Sequence, residues 1–167
     1  MVQGARALGA GSVDGVCSAN NAPMVRGQGA DEVFDYAAPP ENVMTLLGGR
    51  RYDMIIDFAA TTTLRQLKGA LTKNGGIVIL GSAHGSRVLG ITSTFMRSAF
   101  GSHPVGVKVT SMFAKTNASD HASAAGWLRD GTLTPVVQAK YLLADAAAAC
   151  TELERSHVAG KLVITVG

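Results

Sequence analysis

The chain has 167 residues, 47% of them apolar and 16% charged, and a net charge of +3. Such a balance supports a buried core and excludes disorder, and its basic residues form no stripe with aromatics that would suit nucleic acid. There is no signal peptide and no apolar run of about 18 residues, so the expected setting is the reduced cytoplasm, away from any membrane.

Residues 1–8 read as the last part of a helix that closes on Gly9-Ala10-Gly11 and has no capping signal at its start. Residues 12–18 form a short strand. Asn20-Asn21-Ala22-Pro23 then opens a helix running to Gly27, with asparagine as cap and proline in the first turn. Gly29-Ala30-Asp31 turns into a second strand over 32–36, followed by a proline-containing loop and a short helical piece over 43–47. The clearest strand covers 52–58, where Met54-Ile55-Ile56 lies between aspartates, as in a strand covered on both faces. Leu64, Leu67 and Leu71 mark a helix over 63–71. Lys73-Asn74-Gly75-Gly76 reads as a turn into an apolar strand over 77–80, ending at Gly81-Ser82.

Further along, 94–100 is expected to be helical and 105–113 a strand. An alanine-rich helix over 120–130, a strand over 136–142, a helix over 145–155 and a strand over 161–166 complete the chain. Strands alternating with helices across short turns predict a parallel sheet covered by helices.

The order of several short signatures is more specific than any one of them. Val16-Cys17-Ser18-Ala19-Asn20-Asn21-Ala22 comes first, followed by Gly29-Ala30-Asp31-Glu32-Val33-Phe34-Asp35-Tyr36 and Tyr52-Asp53-Met54-Ile55-Ile56-Asp57. Leu71-Thr72-Lys73-Asn74-Gly75-Gly76, Asp130-Gly131-Thr132-Leu133-Thr134-Pro135-Val136-Val137 and Ser156-His157-Val158-Ala159-Gly160-Lys161-Leu162-Val163-Ile164 complete the series. In this order they resemble the medium-chain dehydrogenase/reductase superfamily, and best its zinc-independent NADPH:quinone oxidoreductase branch.

In that family a barrel-like catalytic domain, a first Rossmann strand and a glycine-rich turn precede the matching region. Residues 1–10 resemble only the latter part of the helix after that turn. The resemblance therefore implies an α/β fold: a truncated Rossmann-like, doubly wound parallel sheet lacking the first strand and the glycine-rich turn. In the usual 3-2-1-4-5-6 order the absent strand is the central one, leaving two strands on one side and three on the other. Residues 1–115 would be the truncated nucleotide-binding domain, and 116–167 a segment that in the family returns to the catalytic domain.

The implied cofactor is NADP(H), held weakly or not at all, because pyrophosphate normally rests on the missing glycine amides and helix start. On the adenosine side no acidic residue follows the first strand; Ser18, Asn20 and Asn21 stand there instead, neutral groups that accept a 2′-phosphate. Tyr36 matches a tyrosine beside the adenosine phosphate, and it also reads as a strand-end aromatic. The asparagines read foremost as helix caps. The family's usual Arg or Lys is absent from this loop. On the nicotinamide side the resemblance points to Phe58, Ala59, Ala60, Gly81 and Ser82, which follow two strand ends. It also points to His157 and Lys161 near the cofactor phosphates, although a solvated helix end explains both.

No nucleophile–base pair stands out, and no catalytic residue is assigned. Cys17 and Cys150 are far apart, outside any CxxC or His spacing, so no metal site is assigned either. The expected function is that of an NAD(P)H-dependent quinone oxidoreductase-like fragment, inactive alone. The other reading is a non-catalytic module that self-associates or senses NADPH. The expected partners are a small-molecule nucleotide and a second copy, bound as a homodimer through exposed strands or apolar patches.

Overall fold

Short parallel strands linked by helices make up the computed structural model, which describes residues 1–37, 43–58, 62–80, 108–111, 117–155 and 158–167. Among these residues the strands form three sheets of two, three and two strands, and every pairing is parallel. The helical stretch expected over 94–100 lies outside the described residues. The chain divides into two compact units, one of Met1–Ala37 with Thr116–Gly167 and one of Ala38–Lys115.

In the first unit, α1 (Val2–Ala7) leads into β1 (Gly15–Cys17), α2 (Ala22–Gly27) and β2 (Val33–Asp35). β1 and β2 pair in register from Gly15 with Val33 to Cys17 with Asp35. Helix α2 lies so close to β1 that a Cβ on Gly15 would stand 2.7 Å from a Val25 methyl, which leaves glycine as the residue that fits. Arg6 ties the unit's first turn together. Its guanidinium pairs with Asp31 at 2.5 Å and donates to the Gly11 carbonyl at 2.7 Å. Asp31 also accepts from the Val13 N–H and the Ser12 hydroxyl.

The same unit contains α5 (Ala118–Arg129), β6 (Val137–Leu142), α6 (Ala146–Arg155) and β7 (Lys161–Thr165). Asn117 starts α5 by accepting from the Ser119 N–H, three residues before the expected start. β6 and β7 form a parallel pair joined by α6. A polar chain links the three elements: the Tyr141 hydroxyl and the Gln138 amide both donate to Glu152, and Gln138 accepts from the Ala159 N–H at 2.6 Å. Ala30 and Ala149 are the fully buried hydrophobic residues among this unit's described residues.

The second unit holds α3 (Val43–Leu46), β3 (Tyr52–Asp57), α4 (Leu64–Gly69), β4 (Leu71–Ile79) and β5 (Lys108–Ser111), with sheet order β3-β4-β5. Its core is Leu67, Leu71, Ile77 and Ile79, with Ile55, Leu64 and Val109 packed against it. Thr63 and Gln66 form a reciprocal capping box that starts α4. The two- and three-stranded sheets that hold β1 to β5 match in size the groups expected of a 3-2-1-4-5-6 sheet without its first strand.

Two expectations fail here: the helix expected over 63–71 ends at Gly69, with Leu71 opening β4, and the expected turn before the next strand is absent. Lys73-Asn74-Gly75-Gly76 is not a turn before a strand but lies within β4. Tyr52 pairs with Leu71 and Met54 with Gly76, so a register shift absorbs the extra residues. The Thr72 hydroxyl, donating to Asp53 at 2.8 Å, pins that irregular stretch to β3.

Candidate functional site

The carboxyl end of the β1–β2 pair gathers the adenosine-side candidates. Beyond the last ladder pair, the Tyr36 N–H donates to the Cys17 carbonyl at 3.2 Å. Tyr36 and Ser18 therefore leave the sheet side by side, at the end where parallel sheets take ligands. Ser18 has extended backbone (φ −70°, ψ 153°) and leads into a 3-10 turn over Ala19–Asn21, from which α2 starts with a proline in its first turn. Tyr36 is 57% exposed, Asn20 is exposed, and Ser18 and Asn21 are half-buried.

Neither Ser18 nor Asn21 caps the helix that follows it through its side chain. The capping explanation of Asn21 therefore lacks its hydrogen bond, and the side chain is not committed to the backbone. A neutral hydroxyl and amides at this strand end, with no carboxylate directly after β1, suit the adenosine end of a phosphorylated nucleotide.

One charged residue at this end, Asp35, pairs with Cys17 and was not among the sequence candidates. Burial, foremost, raises the Cys17 thiol pKa, the Asp35 carboxylate raises it further, and the Arg26 guanidinium lowers it. Both charges therefore act on the last residue of β1. Arg26 lies in the last turn of α2, next to Val25, whose methyl packs on Gly15 at the amino end of β1. Asp35 stands at the carboxyl end, paired with Cys17, and its Oδ1 is engaged by the Ala37 N–H at 2.9 Å.

Two of the other candidates lie on or just after other strands of the described residues. Lys161 is the exposed first residue of β7. It pairs with Val137, and its N–H donates to the Val136 carbonyl, at the amino end of that ladder. Phe58 follows β3 in the second unit and is 54% exposed. Ala59, Ala60, Gly81, Ser82 and His157 lie outside the described residues. Among the described residues, no group of three or more His, Cys, Asp or Glu could hold a metal ion. No helix among them is long and apolar enough to cross a membrane.

A family model described as zinc-binding dehydrogenase matches residues 28–164. A chloroplastic quinone oxidoreductase, QR1, of Triphysaria versicolor is 26% identical over 157 residues, covering 94% of this chain and 46% of that protein. The solved quinone oxidoreductase of Coxiella burnetii superposes with a TM-score of 0.75 at 20% identity, covering 99% of this chain and 48% of that one. An alcohol dehydrogenase of E. coli CFT073, solved with NADH, gives 0.72 at 17% identity, over 98% and 48%. The chain thus spans about half the length of the relatives it matches.

Proposed function

The chain belongs to the zinc-binding dehydrogenase family of medium-chain dehydrogenase/reductases, and we propose that it is the nucleotide-binding part of a zinc-independent quinone oxidoreductase. The reaction of the whole enzyme would be hydride transfer from NADPH to a quinone or an activated carbon–carbon double bond. This chain binds NADP(H) weakly and does not turn it over alone. The observation that carries the reading is the carboxyl end of β1–β2, where Ser18 and Tyr36 emerge together without a carboxylate directly after β1.

In this reading Ser18, Asn20 and Asn21 hydrogen-bond the adenosine ribose and its 2′-phosphate, and Tyr36 lies against the phosphate. Asp35 weakens the grip. A bound NADPH would supply the hydride; the chain's own groups bind and orient the nucleotide's adenosine end. Weak binding follows because pyrophosphate is normally held by glycine amides at a helix start, and none of the candidate residues offers that arrangement. Zinc plays no part in this reading, and the cytoplasm is its setting.

Incubating the chain with NADPH and a simple benzoquinone, while following NADPH absorbance, tests inactivity. The expected rate is that of the mixture without protein. Catalytic turnover by the chain alone would reject the binding-part reading in favour of a complete enzyme.

A further inference from the structure

Asparagine is followed by glycine once in the chain, at Asn74-Gly75. The pair lies in the irregular part of β4. Tyr52 pairs with Leu71 and Met54 with Gly76, so Thr72 to Gly75 stand against Asp53 alone and have no partners in that ladder. The Thr72 hydroxyl is tied to Asp53. Asn74 is exposed, and among the described residues nothing engages its side-chain amide.

Gly75 is buried, and a Cβ there would stand 2.8 Å from the Tyr52 carbonyl oxygen and 3.0 Å from a Leu71 methyl. The stretch closes onto β3 only with glycine at this position. Glycine also leaves its own backbone nitrogen unhindered, so that it can reach the side chain before it. The fold therefore demands the residue that makes Asn74 reactive.

Two aspartates also precede glycine, and both are committed. Asp14 accepts from the Glu32 N–H at 3.1 Å, and Asp130 from the Thr132 N–H at 2.9 Å. The Thr132 hydroxyl, and after it that N–H, hold the Asp130 pKa below the ordinary carboxylate value. An ionised carboxylate resists attack by the following nitrogen.

We infer that Asn74 is a site of spontaneous modification, at which asparagine becomes aspartate or isoaspartate. The Gly75 nitrogen attacks Cγ of Asn74. A bond forms between them as the Cγ–Nδ2 bond breaks, and ammonia leaves with the proton of the Gly75 nitrogen. Water then opens the resulting five-membered imide. Attack at the side-chain carbonyl gives aspartate, and attack at the main-chain carbonyl gives isoaspartate. Isoaspartate adds one carbon to the main chain within a stretch whose ends are fixed by Tyr52 and Met54. Either product sets a new carboxylate in the stretch that stands against Asp53. Nucleotide binding plays no part in the reaction.

The test incubates the full chain, native and unfolded in guanidinium chloride, at mildly alkaline pH. Mass spectrometry of chymotryptic peptides locates each converted residue. Methyl transfer from labelled S-adenosylmethionine by a protein isoaspartate methyltransferase counts isoaspartate. Asn74 in the native chain is expected to convert within about tenfold of its unfolded rate, because residues outside the ladder open locally at little cost. Asp14 and Asp130 should stay unchanged. Asn74→Gln, whose ring closure is slower, should bring methyl acceptance down to background, with circular dichroism confirming the fold. An Asn74 that stays an amide in the native chain, or converts more than tenfold slower than when unfolded, overturns the inference. So does methyl acceptance that persists in the folded Asn74→Gln variant.

Discussion

The Tyr36 N–H and the Cys17 carbonyl meet at 3.2 Å, one residue past the end of the β1–β2 ladder. That bond sends Tyr36 and Ser18 off the same sheet end, although they lie far apart in sequence. Replacing Ser18 tests what the juxtaposition is for. Ser18→Ala should weaken NADPH binding by about two- to tenfold, the worth of one hydrogen bond of about 0.5–1.5 kcal/mol. Ser18→Asp should weaken NADPH by more and leave NADH unharmed, because a carboxylate repels the 2′-phosphate alone. Fluorescence titration of Trp127 compares the variants.

Cys17 reports the charges near it without any ligand. Its thiol pKa is raised, first by burial and then by Asp35, while Arg26 lowers it. A raised thiol pKa means less thiolate at mildly alkaline pH and slow alkylation by iodoacetamide. Asp35→Asn should speed the reaction and Arg26→Ala should slow it further. Mass spectrometry in a Cys150→Ser background follows the single site.

Asp31 gives the first unit an acid-sensitive contribution. The Val13 N–H, and after it the Arg6 guanidinium, hold its pKa below the ordinary carboxylate value. The stabilisation is therefore present above that ordinary range and lost as pH falls through the lowered folded value. Urea unfolding at about pH 7 should show Asp31→Asn less stable than the parent, and the gap should narrow at about pH 3. An unchanged gap would mean that the carboxylate contributes no pH-linked stability.

In the second unit Ile77, 1% exposed, sits at the centre of the core. Ile77→Ala should cost about 2–5 kcal/mol of its unfolding free energy, from lost burial and the cavity left behind. In the first unit Gly160 has φ 125°, and a Cβ there would lie 2.6 Å from the Val136 carbonyl. Gly160→Ala should loosen the β6–β7 pair and raise amide exchange at Lys161, whose N–H is held by that same carbonyl.

The parallel sense of the strands was legible because apolar runs such as Met54-Ile55-Ile56 and Leu162-Val163-Ile164 alternate with helical spacing such as Leu64 and Leu67, whereas their order followed only from the family resemblance. Glycine pairs misled at Gly75-Gly76. Composition cannot distinguish a turn from a strand that slips register, since both need small residues and only the partner strand decides. At the candidate site, Ser18 and Tyr36 were legible as residues that follow strands, where ligands are expected. Their meeting through the Tyr36 N–H and the Cys17 carbonyl is a pairing fact that no spacing carries.

Equilibrium titration of the folded chain with NADPH, followed by thermal denaturation and Trp127 fluorescence, bears most directly on nucleotide binding. With a dissociation constant of about 1 mM, NADPH at about 10 mM should stabilise the chain by about 1.4 kcal/mol, and Ser18→Asp should abolish most of that gain. A melting curve that NADPH leaves unmoved at that concentration, with Trp127 fluorescence equally flat, would contradict it.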